Sequence, residues 1–220
     1  MAAVPWREEA LEKVVNSLLP QVDELNIYLN DWEKIPSFLD HTKINAVRSQ
    51  NEIGDIGDRG KFYWCNKIKG IHLTVDDDIL YPANYVEKIV EGMNRNKRSV
   101  VTFHGSILNT PKFSEKQTVS HFAREVQSDV LVTIGGTGVM AYNTENLKID
   151  FDSFKCDYWA DGWFAIQAME TGVPIIALRH EQGWLQPLPT DGPDIWGLNK
   201  KEDRASQIDS WILEYLYGNE

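Results

Sequence analysis

The sequence predicts an α/β protein, and three observations carry that prediction. Short β-branched runs alternate along the chain with segments whose apolar residues recur every three or four positions, the marks of strand and helix respectively. Proline, glycine and asparagine punctuate the changeovers, as at Pro20, Asn30 and the Gly172-Val173-Pro174 step. One apolar run, Ile71-His72-Leu73-Thr74-Val75, ends in three consecutive carboxylates, Asp76, Asp77 and Asp78, followed by Pro82. It reads as a buried strand that delivers its carboxyl end to a site.

In chain order, residues 2 to 4 give a stump of a first strand. Leu11, Val14, Val15, Leu18 and Leu19 place an amphipathic helix over residues 8 to 19, closed by Pro20. Residues 24 to 29 alternate as a strand, completing a βαβ beginning. A further short strand near residues 44 to 47 leads into residues 54 to 64, where three glycines and several charges precede an aromatic run: a loop entering a helix. After the acids, Tyr85, Val86, Ile89, Val90 and Met93 mark another helix, and residues 99 to 103 a strand ending in His104-Gly105. Residues 106 to 128 read as an irregular excursion with a helix near 119 to 126. Residues 129 to 134 form a strand that runs into Gly135-Gly136-Thr137-Gly138 and an apolar stretch, 139 to 142. Acids among aromatics over residues 156 to 169 become an apolar helix. A strand at 175 to 178, a proline- and glycine-punctuated loop and a last helix at 204 to 216 complete the order.

At 220 residues the chain fits one domain with a sizeable core, and no apolar run approaches the length that spans a bilayer. The formal charge of −11 argues against nucleic acid as a partner, so a phosphate-bearing ligand needs a metal or local cations. Two cysteines, Cys65 and Cys156, lack metal-ligand spacing and suit a reducing cytoplasm. Three adjacent carboxylates repel one another, and a bound cation relieves the repulsion. Hard oxygen ligands suit Mn²⁺ or Mg²⁺, above all where the metal also grips substrate phosphates. The alternative is that one Asp caps the following helix and the others face water.

Val4-Pro5-Trp6-Arg7, Ser17-Leu18-Leu19-Pro20-Gln21, Gly57 to Lys61, Asp76-Asp77-Asp78 and Ala160-Asp161-Gly162-Trp163 follow one another over residues 4 to about 185. This ordered set resembles the glycosyltransferase-A fold, and within it the family-two-like bacterial sugar transferases that build capsule, lipooligosaccharide or related glycans. The resemblance implies a Rossmann-like fold with a mixed, mostly parallel central sheet flanked by helices. Residues 1 to 105 would be the nucleotide-sugar half, 106 to 200 the acceptor and catalytic half, and 201 to 220 a terminal helix. Asp76 and Asp78 would form an Asp-x-Asp motif on Mn²⁺ or Mg²⁺, with His180 as a third ligand. Pro5, Arg7, Arg59, Lys61, Asp76 and Asp77 would contact the nucleotide sugar. Alternate strand residues face opposite sides, which makes Asp77 the most structural of the three acids.

Asp161 would be the general base, at the amino end of a helix. An ordinary helix cap fits the same position. Such enzymes usually carry a second acid beside this one, where this chain has Ala160, leaving open whether Asp157 contributes. Gly136 and Thr137 would border the donor or acceptor sugar, and Trp159 and Trp163 offer faces to sugar C–H groups, with core packing as the alternative. The implied reaction moves a sugar, from a uridine diphosphate donor first among nucleotide sugars, to a saccharide or lipid-linked acceptor, with inversion. It implies a cytoplasmic enzyme, peripheral at the inner membrane face if the acceptor is lipid-linked. A nucleotidyltransferase would need a glycine-rich basic loop after the first strand, which residues 4 to 7 do not offer. A non-catalytic nucleotide- or sugar-binding module remains the reading from another class.

Overall fold

Helix α1 (Glu8–Leu18) turns Ala10, Leu11, Val14, Val15 and Leu18 inward and places Glu8 and Glu9 in its first turn, where carboxylates suit the helix dipole. It crosses over between β1 (Ala2–Ala3) and β2 (Leu25–Leu29), which pair in parallel; β2 pairs in parallel with β3 (Ile44–Arg48). The computed structural model describes residues 1–110, 112–192, 208–210, 212 and 214. After the 3₁₀ turn Gly57–Phe62 come β4 (Ile71–Val75), β5 (Ile79–Leu80), α2 (Tyr85–Arg95) and β6 (Val100–Thr102). The second half holds β7 (Gly105–Ile107), β8 (Gln117–Ser120), β9 (Val130–Val132), β10 (Ile134–Gly135), β11 (Val139–Asn143), α3 (Ala160–Glu170), β12 (Ile175–Ala177) and β13 (Gln186–Pro187). The class is mixed α/β with several sheets.

The largest sheet has the order β4-β11-β6-β12-β9. It is mixed as expected but not mostly parallel, since only β6 and β12 pair in parallel. The reason is β11, which inserts between β4 and β6 in the opposite direction. Local periodicity does not encode such a choice of distant partner. The helix expected near residues 119 to 126 is not formed either. Backbone groups there are spent in the β7–β8 pairing, in a turn from Arg124 N to His121 O, and in a bridge between Val126 and His180.

Two apolar clusters cover the faces of this sheet. Val101 and Ala141 join α1 and α2 residues such as Leu11, Val14, Tyr85 and Ile89, while their neighbours Val100 and Met140 join α3 residues such as Phe164 and Ala168. The alternation is that of strand side chains, and each fully buried Val, Leu or Phe contributes about 1.5–3 kcal/mol. Helix α3 buries residues 160, 162–168 around most of its circumference, as a helix enclosed by its neighbours does. Of the helix expected at 204 to 216, residues 208–210, 212 and 214 are helical, with Ile208 and Ile212 buried in the α3 cluster; the rest lie outside the described residues. Among the described residues no helix is long and apolar enough to cross a membrane.

Candidate active site

The strand β4, at one edge of the sheet, goes from the exposed Ile71 to the buried Thr74 and Val75 and stops there, where the acids begin. Asp77 faces inward and is 3% exposed. Its Oδ2 accepts the Val4 N–H at 3.1 Å and its Oδ1 accepts Arg7 Nη1 at 2.8 Å, so this carboxylate ties the end of β1 to the end of β4. Burial raises its pKa, with Arg7 opposing. The expected nucleotide contact of Asp77 is therefore corrected: both of its oxygens are engaged within the fold. Pro5 starts the 3₁₀ turn Pro5–Arg7, which swings Arg7 onto the acids, its Nη1 lying 3.0 Å from Asp78 Oδ2.

Asp76 and Asp78 point outward, their side chains 33% and 26% exposed. Asp76 Oδ1 pairs with Lys61 Nζ. Tyr81 Oη accepts the Asp76 N–H at 2.8 Å and donates to Gly138 O, clamping the acid turn to the loop before β11. Asp76 Oδ2 lies so close to Gly138 that a Cβ there would sit 1.9 Å away. Gly138→Ala is therefore expected to displace the Asp76 carboxylate and cost about 1–3 kcal/mol. A wild-type unfolding free energy for this variant would contradict that placement. Burial, with Asp76 adding to it, pushes the Asp78 carboxyl up to about 7 despite Arg7.

Lys61 is the hub. It is 7% exposed, and its Nζ pairs with Asp76 and donates to Thr137 Oγ1 at 3.2 Å. Thr137 in turn donates from Oγ1 and from its backbone N–H to Asp161 Oδ1, at 2.6 and 2.7 Å. Burial lowers the pKa of Lys61, but Asp76, Asp58 and Asp161 together outweigh it and hold the ammonium charged. The turn carrying Lys61 is braced by Asn30 at the end of β2, whose Nδ2 donates to Gly57 O at 3.0 Å and whose Oδ1 accepts the Ile56 N–H at 3.2 Å. Gly57 has φ +54°, and a Cβ there would meet the Tyr158 ring at 2.6 Å.

The structure thus links Asp76, Lys61, Thr137 and Asp161 in one chain of contacts, with the Arg7–Asp78 pair beside it at the same acid turn. Other expected site residues lie elsewhere. Arg59 turns away from the acids, with Nε 3.0 Å from Asp157 Oδ1, Nη1 on Phe154 O and its guanidinium over the Phe151 ring. Trp159 and Trp163 are 5% and 4% exposed and pack edge to face in the α3 cluster, because the flanking residues of this apolar helix supply the core there. His180 is buried, with Nδ1 2.9 Å from Leu178 O, Nε2 3.2 Å from His121 O and its ring edge-on to Phe103. Among the described residues it does not converge with Asp76 and Asp78 into a three-ligand group. It lines instead a separate cavity of about 420 Å³ beside α2, with Trp184. Gly136 stays beside the site, its N–H on His104 O and its Cα against the His104 side chain.

Sequence reasoning missed Asp58. Its carboxyl stands at about 6, lifted by burial and Asp161 against Lys61, and its Oδ2 accepts the Ala160 N–H at 3.1 Å. The available signal was spacing: positions i and i+3 eclipse in a 3₁₀ turn, so Asp58 and Lys61 share a face of Gly57–Phe62.

Among the described residues, the carboxylates of Asp58, Asp76, Asp77, Asp78 and Asp161 outnumber the positive groups that face them: Lys61, Arg7, Lys116 towards Asp161, and the Met1 amine, whose pKa burial lowers to about 5. The excess of negative charge suits a divalent cation, and the outward, mutually repelling Asp76 and Asp78 have the hard oxygens to hold one. Compared with protein-family models and with curated proteins, the chain matches none.

Proposed function

We propose that the chain is a metal-dependent glycosyltransferase of the glycosyltransferase-A type, transferring a sugar from a nucleoside diphosphate sugar, a uridine diphosphate sugar first among them, to a saccharide or lipid-linked acceptor. The observation that supports it best is the continuous link from the strand-end carboxylate Asp76, through Lys61 and Thr137, to Asp161 at the start of α3. It joins a place for a diphosphate's counter-ion to a place for a proton acceptor.

In this reading Asp76 and Asp78 hold Mn²⁺ or Mg²⁺, which when bound neutralises the charge that develops on the departing diphosphate. Both Thr137 donors fall on Asp161 Oδ1, leaving Oδ2 as the oxygen that takes the acceptor's proton. The acceptor hydroxyl gives its proton to Asp161 as its oxygen bonds to the anomeric carbon. The bond from that carbon to the diphosphate oxygen breaks, and the nucleoside diphosphate carries the electron pair away. A single displacement of this kind inverts the anomeric centre. Lys61 and Arg7 hold the acids in place and add positive charge beside the phosphates. A cytoplasmic location, with the acceptor side at the membrane for a lipid-linked substrate, accords with this chemistry.

Thermal unfolding tests the reading. Mn²⁺ with uridine diphosphate should raise the melting temperature, by the equivalent of about 2.7 kcal/mol at a hundredfold excess over Kd, and Asp78→Ala should lose the metal-dependent part. A proton competes for Asp78 at about 7, so the metal-dependent rise should grow between pH 6 and pH 8. Without metal the sign reverses. A carboxyl raised in the folded state binds its proton more tightly folded than unfolded, so its contribution is lost as the pH climbs from about 4 to about 7. No rise with any nucleoside diphosphate and metal would sink the proposal.

A further inference from the structure

The first amides of a helix lack intrahelical acceptors, and Trp159, at the cap of α3, supplies no side-chain acceptor. The Ala160 amide is served from elsewhere, by Asp58 Oδ2 at 3.1 Å across 102 positions of sequence. Asp58 thereby does from outside what a capping carboxylate does within a helix. Its other oxygen, Oδ1, is sealed from solvent and meets no hydrogen-bond partner among the described residues. A buried carboxylate oxygen left in this way calls for an explanation in terms of what its charge faces. Asp58 faces Lys61 from its own turn, Asp161 from α3 and Asp76 from the end of β4. Lys61, already bonded to Asp76 and Thr137, therefore answers to carboxylates on three sides.

We propose that Asp58 is the second acid of the α3 start, a positioning residue that fixes Asp161 through the neighbouring Ala160 amide and competes with Asp161 for the charge of Lys61. The role rests on the reading of Asp161 as the proton acceptor. It assigns the place beside Asp161 to a residue of the Gly57–Phe62 turn, while Asp157, the nearer candidate in sequence, is paired with Arg59. Two parts of the chain, one before β4 and one after β11, would thus have to meet before Asp161 is aimed. Burial and Asp161 lift the Asp58 carboxyl to about 6, so its protonation is observable under mild conditions.

The experiment is a nuclear magnetic resonance titration of the whole chain, following the Ala160 amide and the Asp58 side-chain carbon in wild type, Asp161→Asn and Asp58→Asn. In wild type both signals should move together with a midpoint near 6. In Asp161→Asn the midpoint should fall, because one of the charges that raises it is gone. In Asp58→Asn, which keeps an acceptor for Ala160, the amide should no longer titrate there. A wild-type amide that does not follow Asp58, or a midpoint unmoved by Asp161→Asn, overturns the proposal even if a variant fails to fold, since the wild-type titration stands alone. Turnover with Mn²⁺ and a uridine diphosphate sugar supplies the second readout: Asp58→Asn should lower kcat about tenfold with the donor KM unchanged, and an unchanged kcat counts against the role. A chain that binds no nucleotide sugar yet shows the coupled titration removes the glycosyl-transfer reading and leaves the hold of Asp58 on Asp161 in place.

Discussion

Asp161→Asn is expected to lower sugar transfer by about 10²–10⁴-fold, the range for loss of a positioned general base, while nucleotide binding persists. The geometry makes this substitution informative. An Asn oxygen can still accept both donors of Thr137, from Oγ1 and from the backbone N–H. What is lost is the second oxygen, replaced by an amide that cannot take a proton. The cost in stability should stay near the 0.3–1 kcal/mol of a charge at a helix amino end. Initial rates, read beside a titration with Mn²⁺ and uridine diphosphate, separate the two roles. A loss smaller than tenfold would mean that the proton goes elsewhere and that Asp161 chiefly holds Thr137 against the start of α3.

Lys61→Met should have the largest effect on stability. Methionine fills much of the same buried volume, so packing changes little, but Asp76, Asp58 and Asp161 lose their shared cation. Removing one partner of a buried ion pair costs about 3–5 kcal/mol. The lower end applies here because the Asp76 side chain is 33% exposed and partly screened. Against a total stability of about 5–15 kcal/mol that is a large fraction. The defect should shrink as the pH falls from 7 to 5, since Asp58 then takes a proton and one of the uncompensated charges disappears. Denaturant unfolding at the two pH values provides the check. A cost below about 1 kcal/mol, or one that does not change with pH, would show that Lys61 is not the counter-ion of this cluster.

Much of the fold was legible because it follows from local periodicity. The apolar spacing of α1 and α2, the alternation of β2 and the run of β4 all appear where the sequence suggests. The division of the acids falls as alternation suggests, Asp77 in and Asp76 and Asp78 out. The acids lie past the end of β4, however, and it is the Arg7 and Val4 contacts that hold Asp77 inward. Legibility fails where a distant segment decides. Nothing within residues 139–143 says that they will lie between β4 and β6. Nothing around residue 120 says that its backbone will pair with β7. The same limit explains the site. Arg59, Trp159, Trp163 and His180 have side chains able to do what was expected of them, but a residue type does not state its direction. The Phe151 ring and Asp157, the α3 core, and two backbone carbonyls respectively hold them. Asp58 escaped notice for the converse reason, an acid in a charged loop whose importance comes from Ala160, 102 residues away.

The place of β11 has a bearing on how the chain is made. Strands β4 and β6 are near neighbours in sequence, yet the sheet leaves a gap between them that is filled only by residues 139–143. On a growing chain, both therefore present open hydrogen-bonding edges, flanked by apolar side chains, until that stretch emerges. Unpaired edges of this kind invite pairing with the wrong chain. Closure of the sheet and delivery of Thr137 to Lys61 involve the same short stretch, since Gly138 and Val139 follow Thr137 directly. A nascent chain truncated before residue 139 would thus lack the strand that joins β4 to β6, and a chaperone that shields strand edges would act on it there.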